Sequence, residues 1–245
     1  MRIDLNCDMG EGAGFDEEIM PLVSSANVAC GWHAGDATSL RRTLRLARAH
    51  GVAVGAHPSY PDRENFGRTA MARAPEQVRD DVVYQVAALQ GLCRAEGVAL
   101  RHVKPHGALY NAAALDRALA GAICEAVRSL DPALTVVCLA GSPMAAVVRA
   151  AGLGCAEEAF ADRAYTAAGT LVPRTRPGAV IEDAAEVAER VARLAREGRI
   201  ASIEGAPVAV RADTLCVHGD TPGAVALLRA IRARLRAEGV EVRTP

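Results

Sequence analysis

The chain has 245 residues, a formal net charge of −1, 51% hydrophobic and 23% charged residues. That balance describes a folded globular protein and leaves no basic footprint for nucleic acid or an anionic membrane. No apolar run reaches the roughly 18 residues of a membrane span, and the N-terminus enters a strand-like pattern with no signal-peptide core.

Short strand-like runs alternate with amphipathic helical stretches. In chain order, strands at 2–6 and 26–30 precede a helix at 38–49, a strand at 52–56 and a helix at 75–96. A strand at 99–104, a helix at 115–130, a strand at 134–139, a helix at 144–151 and a strand at 154–160 follow. A helix at 184–197, a short hairpin within 200–210, a strand at 214–217 and a strongly amphipathic helix at 223–238 complete the series. Repeated βα units imply a parallel sheet. Unusual polar residues recur at the C-terminal end of nearly every strand, which favours a distorted (β/α) barrel of about seven strands, spanning residues 1–245 as one domain, over a sheet with a single crevice.

The rare residues mark the candidate site. Of the 28 basic residues 27 are Arg, and Lys104 is the one lysine. In the first strand, Asp4 and Asn6 share the inward side by the period of two, and Asp8 lies just past it beside the glycines at 10, 12 and 14. Lys104 and His106 share a side next to Tyr110, His218 and Asp220 share another, and His33 and His57 each follow a strand. Arg68, Arg163 and Arg174 sit in loops with the fork geometry to clamp a carboxylate. The segment 220–223 reads as a helix start able to hold an anion. No GxxxxGK[ST] loop is present. Seven scattered cysteines with no CxxC point to buried free thiols in a reducing cytoplasm.

The segments DLNCDMGEGAG, SANVACGWHAGD, GAHPSYPD, FGR, VKPHGALYN, EAFADRAY, LVPR and LCVHGDTPGAV, running from residue 4 to residue 225, resemble the LamB/YcsF family of lactam-utilisation proteins. Departures are small, with Trp32 where Phe is usual and Ala37 where Pro is common. The resemblance implies a barrel of the glycoside hydrolase/deacetylase type. It also implies the role of the A subunit in a prokaryotic 5-oxoprolinase, opening 5-oxo-L-proline to L-glutamate with ATP (and Mg2+) as co-substrate and subunits B and C as partners.

Opening a stabilised lactam needs a fixed cation, a base and an acid. Lys104 is the candidate charge stabiliser, Asp8 or Asp220 the base, and His57, His106 or His218 the proton donor. Arg68, Arg163 or Arg174 would take the substrate carboxylate, Tyr60 and Tyr110 would pack its ring, and Asn6 and His33 join the binding candidates. Two alternatives stand beside this reading. One is a metal-dependent amidohydrolase or deacetylase acting alone, built on Asp8, His33 and His57, although the spacing does not establish a metal. The other is a non-catalytic component that presents substrate to its partners.

Overall fold

The computed structural model describes residues 1–220 and 223–244. Its elements are β1 (Arg2–Met9), α1 (Asp16–Ile19), β2 (Ser25–Ala29), α2 (Ala37–His50), β3 (Ala53–His57), α3 (Pro75–Ala95), β4 (Leu100–Val103), α4 (Gly107–Leu115) and α5 (Arg117–Leu130). They continue with β5 (Thr135–Leu139), α6 (Pro143–Ala150), β6 (Gly154–Phe160), α7 (Ala184–Glu197), β7 (Arg199–Ala201), β8 (Pro207–Ala209), β9 (Thr214–Cys216), α8 (Ala224–Ala237) and β10 (Glu241–Val242).

The strands β1 to β6 pair in order and in parallel. β9 then joins β6 to β1 and closes a seven-stranded barrel. The expected architecture is therefore the observed one. The expected hairpin is the antiparallel pair β7–β8, set outside the barrel, and β10 extends the sheet at the start of β1.

Alternation along β1 explains where the core sits. Leu5, Cys7 and Met9 are buried in the hydrophobic layer between barrel and helices, with Leu44, Val82, Val86, Ile123, Leu228 and Ile231. Asp4, Asn6 and Asp8 take the opposite face, inside the barrel. Each fully buried aliphatic side chain in that outer layer contributes about 1.5–3 kcal/mol, so apolar packing outside the strands carries the stability and frees the interior for polar groups.

Most element ends fall within a residue of the sequence expectation, and larger differences lie at β1 and around α4. Strand β1 runs to Met9, which takes Asp8 into the strand. The helix expected at 115–130 begins at Arg117, because the Asp116 side chain caps it by accepting from the Ala118 and Leu119 amides. A separate helix, α4, precedes it. The anion-binding helix start expected at 220–223 lies partly outside the described residues, at Thr221 and Pro222. All seven cysteines are free thiols, and among the described residues no helix is long and apolar enough to cross a membrane.

Candidate functional site

The barrel interior is a column of hydrogen bonds. At its floor, Asp4 Oδ1 accepts from Ser24 and Ser25 Oγ, both at 2.6 Å, and Asp4 Oδ2 accepts from Thr214 Oγ1. Burial pushes the Asp4 carboxyl up, and these three donors pull it back. One level higher, Asn6 Nδ2 donates to Thr214 Oγ1 at 2.6 Å and to Glu158 Oε1 at 3.0 Å. Asn27 donates to Asn6 Oδ1 and Asp8 Oδ1, both at 2.8 Å, and His102 Nε2 meets Asn27 Oδ1 at 2.8 Å.

Lys104 stands at the top of the column, 2% exposed. Its Nζ lies 2.9 Å from Glu158 Oε1, 3.0 Å from Asp8 Oδ1, 3.2 Å from Cys216 Sγ and 3.4 Å from Asn6 Oδ1. Burial would lower its pKa, but the Asp8 charge and the neighbours beyond it hold it well above the ordinary lysine value. Asp8 is driven the other way: burial opposes its ionisation, and His57 and Lys104 beside it overcome burial to hold it well below the carboxylate range. The ammonium is therefore matched by two carboxylates.

Beside Asp8, four side chains converge from four segments. Glu11 Oε1 lies 2.9 Å from His33 Nε2, 3.5 Å from His106 Nδ1 and 3.9 Å from His57 Nε2. His33 and His106 stack with ring centroids 3.8 Å apart. A close backbone approach permits this: the Ala108 amide donates to Gly67 O at 2.9 Å. A Cβ on Gly107 (φ 56°) would sit 2.5 Å from that oxygen, so only glycine fits. Burial first, with the Asp8 charge second, raises Glu11 to about 8, and burial lowers His33 and His106 to about 2. Glu11 and the three histidines have donor atoms all within 4.8 Å of one another, a grouping able to hold a metal ion.

A cavity of about 720 Å³ opens above these groups, within the usual span for a small-molecule site. At its mouth, Arg68 Nη2 bonds Asp220 Oδ2 at 2.6 Å. Burial raises Asp220, and the Arg68 bond overcomes that to leave it lowered. His218 Nδ1 lies 3.0 Å from both oxygens of Asp162, whose side chain is fully buried. The His218 ring stacks on Phe160 at 5.2 Å. Tyr110 donates to Glu158 Oε2 at 2.9 Å from the cavity wall.

The cavity gathers Asp8, His57, Lys104, His106, His218 and Asp220, together with Arg68, Tyr110, Arg163 and Arg174. Asn6 and His33 stand behind this lining, bonded respectively to Lys104 and Glu11, which form part of it. Tyr60 is elsewhere. The residue is 2% exposed, buried in the hydrophobic core and absent from the cavity lining. Arg163 reaches the wall, but its fork is spent on the backbone, donating to Val172 O at 2.6 Å and Ala179 O at 3.3 Å. It braces the 163–180 loop and leaves Arg68 and Arg174 as the carboxylate candidates. The carboxylates Glu11, Glu158 and Asp162 belong to the site and were not singled out in the sequence, although all three lie inside quoted motif segments.

A LamB/YcsF family profile matches residues 3–245. The chain is 53% identical to the 5-oxoprolinase A subunit of Syntrophobacter fumaroxidans, with 99% of this chain and 98% of that protein covered. The crystal structure of a lactam utilization protein from Thermus thermophilus superposes with a TM-score of 0.94 at 51% identity, covering 100% of both chains. A polysaccharide deacetylase from Bacillus cereus shares the fold alone, with a TM-score of 0.53 at 15% identity over 100% of this chain and 91% of that one.

Proposed function

The chain belongs to the LamB/YcsF family, and on that premise we propose that it is the A subunit of an ATP-dependent 5-oxoprolinase that opens 5-oxo-L-proline to L-glutamate. One observation carries the reading: identity of about one half, along essentially the whole chain, to proteins of that name. In this reaction the γ-phosphoryl group of ATP passes to the lactam oxygen, one water adds to the activated carbonyl carbon, and the C–N bond breaks. The ring nitrogen gains a proton, and a second water releases phosphate. The absence of a Walker loop is in keeping with ATP being handled together with partner subunits B and C.

The cleft supplies the groups this chemistry requires. His218 is best placed to move a proton: Asp162 anchors Nδ1, which leaves Nε2 as the exchanging nitrogen, and the His218 side chain is 11% exposed at the cavity wall. Lys104 pairs with Asp8 and Glu158 and keeps Asp8 ionised, so developing charge meets a preorganised field rather than mobile water. Arg174, exposed at the rim with no ion pair among the described residues, would hold the substrate carboxylate, and Tyr110 with Phe160 would cover the ring.

The test is glutamate release from 5-oxoproline by the reconstituted subunits with ATP. Turnover is expected with this chain present and absent without it. Equal turnover by B and C alone, or lactam opening by this chain without ATP, would overturn the proposal.

A further inference from the structure

We propose that Glu11, His57 and His106 form a divalent transition-metal site, suited to Zn2+, at the base of the cleft. Two backbone carbonyls set the ring tautomers. His57 Nδ1 lies 2.7 Å from Lys104 O, and His106 Nε2 lies 2.8 Å from Phe66 O. A carbonyl oxygen only accepts, so each of those nitrogens carries its ring's proton. The remaining nitrogens, His57 Nε2 and His106 Nδ1, then point lone pairs at each other across 3.0 Å.

Two carboxylate oxygens crowd the same spot. Glu11 Oε1 lies 3.5 Å from His106 Nδ1 and 3.9 Å from His57 Nε2, and Asp8 Oδ2 lies 3.3 Å from His57 Nε2. Four acceptor atoms converging in a buried place is costly unless they share a cation. A proton added to one ring would bridge the two nitrogens but leave the Glu11 oxygen outside that bridge, whereas a divalent ion answers both nitrogens and the Glu11 oxygen together.

The dimensions fit. Ligands of a tetrahedral zinc stand about 3.3 Å from one another, and the three donor separations here are 3.0, 3.5 and 3.9 Å. A ligating histidine ordinarily gives its other N–H to a carbonyl or carboxylate, as both rings do here. Two imidazoles and one carboxylate are a donor set that zinc accepts.

His33 plays a different part. Its Nδ1 is buried without a hydrogen-bond partner, and ligation through Nε2 would place the proton on that partnerless atom. His33 instead keeps its proton on Nε2, donates to Glu11 Oε1 at 2.9 Å and orients that ligand. Glu11, His57 and His106 line the cavity and His33 does not, so the fourth coordination position faces the cleft.

The assignment rests on donor geometry and holds whatever the substrate. Full-length protein, stripped with a chelator and dialysed, is titrated with Zn2+ by calorimetry, and in parallel with Co2+ followed by visible absorption. One equivalent of Zn2+ and a tetrahedral Co2+ spectrum are expected. His106→Gln and Glu11→Gln, checked for native circular dichroism, should each weaken binding about tenfold or more, and the exposed His50→Gln should leave it unchanged. No saturable binding by the wild-type protein overturns the site whether or not the variants fold. Undiminished binding by folded His106→Gln overturns the ligand assignment.

Discussion

Lys104 Nζ and Glu158 Oε1 lie 2.9 Å apart inside the barrel, the ammonium 3% and the carboxylate 0% exposed. With Asp8 on its other side, the lysine holds two buried negative charges in place. Lys104→Met strands both, and breaking a buried pair from one side costs about 3–5 kcal/mol. Urea unfolding should show that loss. The double variant Lys104→Met/Glu158→Gln should regain part of it, and a double variant no more stable than the single one would refute the pairing as its source. Lys104→Arg should lose about 1–3 kcal/mol as well, because a planar fork cannot replace a compact ammonium packed 3.2 Å from Cys216 Sγ.

Asp162→Asn should lower kcat by about a hundredfold or more while KM holds. The carboxylate fixes His218 with the proton on Nδ1, and an amide oxygen or nitrogen at that position no longer enforces one tautomer. Steady-state glutamate release with the partner subunits separates the two constants. A parallel rise in KM would instead make Asp162 a packing residue.

Arg174 and Arg163 should part company in the same assay. Arg174→Ala removes an exposed cation from the cleft rim and should raise KM for 5-oxoproline about tenfold to a hundredfold, the worth of one charged hydrogen bond, with little change in thermal stability. Arg163→Ala removes the bonds to Val172 O and Ala179 O and should lower stability first. Unchanged KM in Arg174→Ala would move the carboxylate site to Arg68.

Glu96 ties α3 to α2 through Arg41 Nε at 2.5 Å and Arg45 Nε at 2.8 Å. The hydrogen bonds from Arg45 and then Arg41 lower its carboxyl to about 2, against about 4.3 in an unfolded chain. A depressed carboxyl stabilises the fold above its unfolded pKa, and the contribution disappears as pH falls through the folded one. Glu96→Gln should therefore be less stable than wild type at pH 7, with the gap in urea midpoint narrowing below about pH 4.3 and closing near pH 2. Both arginines are about half exposed, so added salt should shrink the gap as well. A gap independent of pH would assign the effect to packing.

The barrel was legible in the sequence because alternation and strand-end polarity are local signals. Asp8, Lys104, His57 and His218 could be found by reading one strand at a time. Glu158 could not, because Glu157 and Glu158 are adjacent and parity alone does not say which faces inward. The answer depends on Arg149 and the Gly141 amide, which hold Glu157 outside. Glu11 lies in a glycine loop with no period to read, and its partners come from three distant segments. His102 depends on a neighbour's missing side chain: a Cβ on Gly55 would sit 2.1 Å from its ring. Tyr60 shows the converse error, an aromatic in a motif segment whose work is in the core.

The unbroken column from Asp4 through Thr214, Asn6 and Glu158 to Lys104 and Asp8 has a consequence for anyone transplanting this chemistry. In most barrels of this kind the interior is filled with branched aliphatics and the rim loops can be exchanged above it. Here the rim residues are the last rung of a ladder anchored at the opposite end. Loops grafted onto an aliphatic-filled barrel would arrive without the partners that fix their charge states. The transferable unit is the whole inner face of the strands.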